Sequence, residues 1–164
     1  MTDRINQIEQ IAHYVHTGEV HGLYTLLEDL HHADIAEILL ALDKEDRKGL
    51  FRLLPKELAA LALHELDADY FEELIGSLGS KERSQVLDEM SPDDMVDILS
   101  ELSDDRKSEI LGMMNVEEAR DVRELLDYEE DSAGGIMTKE YVAIRKDITV
   151  EEAIQELRYN APDA

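Results

Sequence analysis

From Leu30 onward, every twelfth residue is Leu or Met: Leu30, Leu42, Leu54, Leu66, Leu78, Met90, Leu102, Met114 and Leu126. Behind the first eight stand His31, Asp43, Pro55, Asp67, Gly79, Ser91, Ser103 and Asn115. Most of these suit a helix N-cap or a turn. Eight and nine residues after a ruler position come apolar pairs, among them Ile38-Leu39, Leu50-Phe51, Leu74-Ile75, Val86-Leu87, Ile98-Leu99 and Ile110-Leu111. Five residues after it the chain alternates loosely between apolar (Ile35, Ala59, Phe71, Met95, Ala119) and basic (Arg47, Arg83, Lys107). Offsets five, eight, nine and twelve are i, i+3, i+4 and i+7, one face of an α-helix. Each unit therefore reads as a helix of about two to three turns and a tight connection.

Helices this short are not stable alone and must stack on neighbours. The pattern predicts a mainly α fold, a right-handed or irregular superhelix (solenoid) of short helices, in preference to a plain bundle. Ahead of the ruler, Ile5, Ile8, Ile11, Ala12 and Val15 mark a longer amphipathic helix that stops near Gly18. Val20, Leu23, Leu26 and Leu27 mark a second.

The period ends after Leu126. Gly134 and Gly135 are poor helix-interior residues and close the solenoid. Tyr141 to Ile144 reads as a strand, "RKD" as a turn, and Thr149 with Glu152 as a capping box that opens a helix carrying Ala153, Ile154 and Leu157. A single strand cannot form a domain. The expected division is a helical domain over 1–127, then a linker and an incomplete α/β unit over 128–164. That second part is expected to be mobile or swapped onto a neighbouring chain.

Charge narrows the function. The chain has 164 residues, 43% of them hydrophobic, with 40 acidic against 16 basic residues and a net charge of -24. A core is available, while a surface of this sign repels nucleic acid and anionic lipid and attracts cations. Cysteine is absent, which removes disulfides, thiolate chemistry and zinc ribbons. The N-terminus lacks an apolar signal core, and no run has the length to span a bilayer.

Among residues capable of chemistry, "MSPDDMVDILSEL" stands out. Ser91 suits an N-cap, Pro92 the first helical position and Asp94 the third. Asp93 and Asp97 are one turn apart and share a face, offering hard oxygen ligands of the kind Mg²⁺ accepts. By pattern alone, the simpler reading is that Asp93 and Asp94 favour the positive helix start and Asp97 is solvated. Glu129, Glu130 and Asp131 form a second acidic cluster, read either as a solvated linker or as a hinge that feels divalent ions. His13 and His16 share a helix face and His31 and His32 are adjacent, but no third ligand is fixed with them, so they read as surface histidines. No nucleophile sits beside a fixed base, there is no phosphate-cradling glycine loop, and Met95, Met113 and Met114 read as core. An enzyme is not indicated.

Several stretches carry a resemblance. "GGIMT", the strand and "ITVEEAIQELR" look like the opening of a CBS domain. "LLPKE", "MSPDDMVDIL" and "YEEDSAGGIMT" together resemble the MgtE family of magnesium channels and transporters. The resemblance implies that residues 1–127 are that family's cytosolic N domain and the remainder the start of its first CBS domain. It implies Mg²⁺ ions between the N domain and the CBS domains, with Asp93 and Asp97 as ligands and a backbone carbonyl of the glycine pair, at Gly135, completing the site. The glutamate that the family carries just after the "LPK" turn falls at Leu61 here, with Glu57 one turn earlier. The partners implied are the protein's own CBS and transmembrane domains, divalent cations and a second copy in a full-length homodimer, with no nucleic acid. The place implied is the cytoplasmic side of the membrane. The rival reading is a protein-interaction scaffold, because such solenoids also resemble the middle domain of the flagellar motor switch protein FliG.

Overall fold

The computed structural model describes residues 2–28, 30–129, 131–139 and 141–160, with side chains left out at 2–5 and 160. Ile5's side chain and Glu130 therefore lie outside the described residues. Eleven helices are found among them: α1 Thr2–Thr17, α2 Val20–Leu27, α3 His32–Ala41, α4 Lys44–Leu53, α5 Lys56–His64, α6 Ala68–Ser77, α7 Ser80–Asp88, α8 Pro92–Ser100, α9 Asp104–Leu111, α10 Val116–Leu126 and α11 Val150–Asn160.

The twelve-residue period is the period of these helices. All eight residues that follow a ruler position, from His31 to Asn115, are the N-caps of α3 to α10. Asp43 accepts from the backbone N–H groups of Glu45 and Asp46 at 3.0 Å, and Asn115 does the same for Glu117 and Glu118 at 2.9 and 3.0 Å. Each such cap satisfies donors that the helix itself leaves unpaired. The ruler residue is then the position before the cap, and offset five is the fourth helical residue. These are the two places of a hydrophobic staple. Leu54 and Ala59, Leu66 and Phe71, Met90 and Met95, and Met114 and Ala119 are buried at these paired places.

The basic residues at offset five have a different task. Arg47 donates through Nε to the Leu39 carbonyl (2.8 Å) and through Nη2 to that of Leu42 (3.0 Å). Arg83 repeats this on Ile75 (3.0 Å) and Leu78 (3.1 Å). Each arginine thus reaches back to carbonyls at the end of the preceding helix, where the helix leaves acceptors under-used, although Ile75 also accepts from the Leu78 N–H at 3.2 Å.

Helices stack on the next but one: α3 on α5, α4 on α6, α5 on α7, α6 on α8 and α8 on α10. That is a solenoid, with one continuous core running from Ile11 to Val122. Leu42, Leu54, Leu66, Leu78, Met90 and Met114 are buried. Leu30, Leu102 and Leu126 are only half-buried but pack against the core. Leu30 and Leu126 lie at the ends of the series, and Leu102 precedes α9, whose packing is sparser than its neighbours'. Polar ties reinforce the stacking. Glu73 of α6 meets Lys44 and Arg47 of α4 at 3.1 Å each. Burial alone would push its carboxyl up, but these two cations outweigh it and hold it below the usual range.

Helix α1 ends as the sequence predicts. Gly18 has φ +70°, and the N–H groups of Gly18 and Glu19 both donate to the Tyr14 carbonyl, at 2.9 and 3.2 Å. A positive φ is cheap only for glycine.

One expectation is corrected. Residues 141–144 are not a strand, and no strand exists among the described residues. A strand is held by hydrogen bonds to a neighbour, and among the described residues none is present for this segment. Of the expected α/β unit, the helix does form: α11 begins after Thr149, whose N–H donates to Glu152 Oε2 (2.7 Å) while its Oγ1 accepts from the Glu152 N–H (3.3 Å).

A candidate metal centre at the helix–linker junction

Helix α8 starts as its sequence dictates. Ser91 Oγ accepts from the Asp94 N–H at 3.3 Å and Pro92 is the first helical residue. Asp93 and Asp97 follow on one face, Asp93 half-buried and Asp97 exposed. Asp94 points elsewhere: His64 Nδ1, at the end of α5, is 3.0 Å from its Oδ1. Glu57, Leu61 and His64 are i, i+4 and i+7 on α5, so the stripe that ends at α8 carries a carboxylate, an apolar residue and an imidazole. Leu61 is 47% exposed, and Glu57 is exposed one turn away.

The linker is not an open chain. The N–H groups of Ser132, Gly135 and Ile136 donate to the carbonyls of Glu129 (2.9 Å), Ser132 (3.0 Å) and Ser132 (3.2 Å), making consecutive turns. Gly135 also donates to Ser132 Oγ at 3.1 Å and is half-buried. Gly134 is required by packing, because a Cβ there would fall 2.2 Å from Tyr128 Cδ1. Glu129 and Asp131 are exposed.

Beyond the glycines the chain returns to the solenoid. Thr138 Oγ1 donates to Asp93 Oδ1 at 3.1 Å. Lys139 Nζ lies 3.0 Å from Asp121 Oδ1 and 2.6 Å from Glu124 Oε2 on α10. The hydrogen bonds that Lys139 donates to Glu124 and then Asp121 hold its ammonium above its ordinary value, and Lys139 holds the Asp121 carboxyl below the carboxylate range. Of the residues singled out in the sequence, the structure brings Asp93 and the segment after Gly135 together. It leaves Glu129 and Asp131 solvent-facing. Sequence reading missed His64, Thr138, Lys139, Asp121 and Glu124. The spacing of His64 from Leu61 on α5 was a usable signal, while the pairing of Lys139 with α10 depends on the path of the linker and left none.

His13, His16 and His31 are exposed, whereas His32 is half-buried and its Nδ1 is buried without a hydrogen bond. His31 caps α3, His16 lies 3.1 Å from Asp46, and His32 lies 3.1 Å from Glu65. Met95 and Met114 are core.

Among the described residues, no three carboxylate or imidazole side chains converge to enclose a metal. Two carboxylates one turn apart on an accessible helix face do fit Mg²⁺, which keeps several waters and is usually held by one or two carboxylates.

Comparison with known proteins bears on this geometry. The family model of the MgtE intracellular N domain matches residues 30–131. A magnesium transporter MgtE of Thermus thermophilus is 35% identical over 150 residues, covering 90% of this chain and 33% of that protein. Its counterpart in Bacillus subtilis is 28% identical over 141 residues, covering 86% and 31%. The chain thus spans about a third of the length of these relatives. Among solved structures, the soluble part of a magnesium transporter superposes with a TM-score of 0.88 at 26% identity, covering 98% of this chain and 64% of that one. The cytosolic domain of the Mg²⁺ channel MgtE in complex with ATP gives 0.80 at 32%, covering 96% and 64%. No described helix is long and apolar enough to cross a membrane.

Proposed function

The chain belongs to the family of the MgtE intracellular N domain, and from that premise we propose that it is the cytosolic Mg²⁺-sensing part of a magnesium channel or transporter. In this reading residues 1–127 are the sensing domain, and 128–164 lead into CBS domains and then the membrane part. The observation that carries the proposal is the contact of Thr138 with Asp93. It joins the helix that bears the aspartate pair to the segment through which any motion of the domain must pass.

Asp93 and Asp97 supply two negative oxygens on one face, and Gly135 supplies a carbonyl from the linker side. Mg²⁺ bound there would cancel the repulsion between carboxylates that otherwise keeps acidic surfaces apart. With the charge cancelled, α8 and the following domain dock, and the docked arrangement favours the closed pore. Without it, a net charge of -24 drives the solenoid away from acidic neighbours. Docking is then a two-state equilibrium biased by ligand.

The test is made on the whole transporter. Mg²⁺ uptake is followed while internal Mg²⁺ is raised, in the parent and in Asp93→Asn plus Asp97→Asn. The concentration that halves uptake should rise several-fold in the variant. An unchanged concentration would remove the aspartate pair from sensing.

A further inference from the structure

The attachment of residues 137–139 has two parts of different chemistry. Thr138 makes a neutral-to-charged hydrogen bond to Asp93 on α8. Lys139 makes a double ion pair to Asp121 and Glu124, which are three apart and share a face of α10. Its side chain is only 23% exposed, and α10 packs directly on α8. The chain from Gly135 to Thr138 can span at most about 11 Å, so an anchor at 138–139 confines Gly135 to the neighbourhood of α8. Lys139 is thus a fixed cation that ties the linker to the solenoid, next to the helix that bears the aspartate pair.

We propose that Lys139 is a positioning residue for the divalent-cation site: clipped to Asp121 and Glu124, it holds the Gly135 segment against α8. The inference rests on the Mg²⁺ reading of Asp93, Asp97 and Gly135. Removing Lys139 makes the region one charge more negative, so simple attraction of cations would tighten Mg²⁺ binding. A positioning role demands the opposite, because the linker's ligand is no longer delivered to α8 and its ordering must come out of the binding energy.

The experiment uses this chain and Mg²⁺ alone, at ionic strength held constant with KCl. Backbone amide shifts of Gly135, Ile136 and Thr138 are followed against Mg²⁺ in the parent, Lys139→Met, Lys139→Arg, Lys146→Met, and Asp93→Asn plus Asp97→Asn. Lys146 is exposed in the turn before α11, so its loss removes the same charge without touching the anchor. Lys139→Met should raise the half-saturating Mg²⁺ by about tenfold, the lower end of what losing an outer-shell partner costs. Lys139→Arg should restore most of the response, and Lys146→Met should leave the midpoint unchanged or slightly lower. If the double asparagine variant loses the response while Lys139→Met binds as tightly as the parent or tighter, the positioning role is wrong and the Mg²⁺ site stands. If the double asparagine variant responds like the parent, the Mg²⁺ reading itself fails, and the role of Lys139 with it.

Discussion

Residues 30–126 and residues 128–160 differ in where their apolar side chains go. In the first stretch nearly every apolar position of the period meets another helix, and Phe71, Leu74, Leu87 and Leu99 are wholly buried. In the second, Ile136, Tyr141, Ile144, Val150, Ile154, Leu157 and Tyr159 are all exposed. Both stretches are correctly patterned for their elements, yet only some of those elements form. Helix α11 forms with Ile154 and Leu157 of its apolar stripe exposed, since a helix satisfies its own backbone and Thr149 and Glu152 cap its start. The stretch 141–144 has the composition of a strand and does not become one, because a strand's hydrogen bonds must be met by another strand. Pattern decides what a segment can become, and a partner decides whether a strand does.

The largest expected effect tests that contrast directly. Phe71→Ala should destabilise the solenoid by about 3–5 kcal/mol, a large part of an ordinary domain's stability, as read from urea unfolding followed by far-ultraviolet circular dichroism. Leu157→Ala should leave the same transition unchanged in this chain. Equal losses from the two substitutions would mean that α11 is packed and that the two regions are one cooperative unit.

A middle-sized effect concerns the arginine that links successive helices. Arg83→Met keeps the aliphatic stem but leaves the Ile75 and Leu78 carbonyls without their charged donor. The expected cost is about 1.5–3 kcal/mol. Arg123→Met, on an exposed face of α10, should cost almost nothing. If the two cost the same, the basic residues of the period are surface decoration and the staple alone explains the stacking.

How much was legible in the sequence divides along the same line. The ruler, the caps and the short helices could be read because each depends on residues within about one turn of one another. The loose alternation at offset five was visible, but its cause was not: Arg47 and Arg83 act on carbonyls five and eight residues back, a relation set by how one helix succeeds another. Asp93 and Asp97 were legible as a pair on one face. The Thr138 contact was not, since it lies tens of residues from Asp93, and the meeting of His64 with Asp94 was signalled only by the spacing of His64 along α5. The strand at 141–144 was misread because composition carries no information about whether a pairing strand is at hand.

The smallest effect is a pH dependence confined to the clip. Lys139 holds the Asp121 carboxyl low, so that contribution is complete above the ordinary aspartate range and is lost as pH falls through the lowered value. Glu124 and Asp121 hold the Lys139 ammonium high, so that contribution is complete below the ordinary lysine range and is lost as pH rises through the raised value. Amide shifts of Thr138 and Lys139 should therefore be flat from about pH 5 to 9 and move together outside it. Detachment within the neutral range would show that these ion pairs do not fasten the linker.

The central claim is that Asp93 and Asp97 join the solenoid to the linker and the domain after it through a divalent cation. Its most direct test is protease protection of the 129–135 linker in the full-length protein, titrated with Mg²⁺ at ionic strength held constant with KCl. Asp93→Asn plus Asp97→Asn keeps the shape and an oxygen at each position while removing the charge that Mg²⁺ requires. Protection should rise with Mg²⁺ in the parent and need at least about tenfold more Mg²⁺ in the double variant, as expected for losing about 1.4 kcal/mol or more of binding free energy. Protection over the same Mg²⁺ range in both proteins would contradict the claim and leave the two aspartates as features of a helix start.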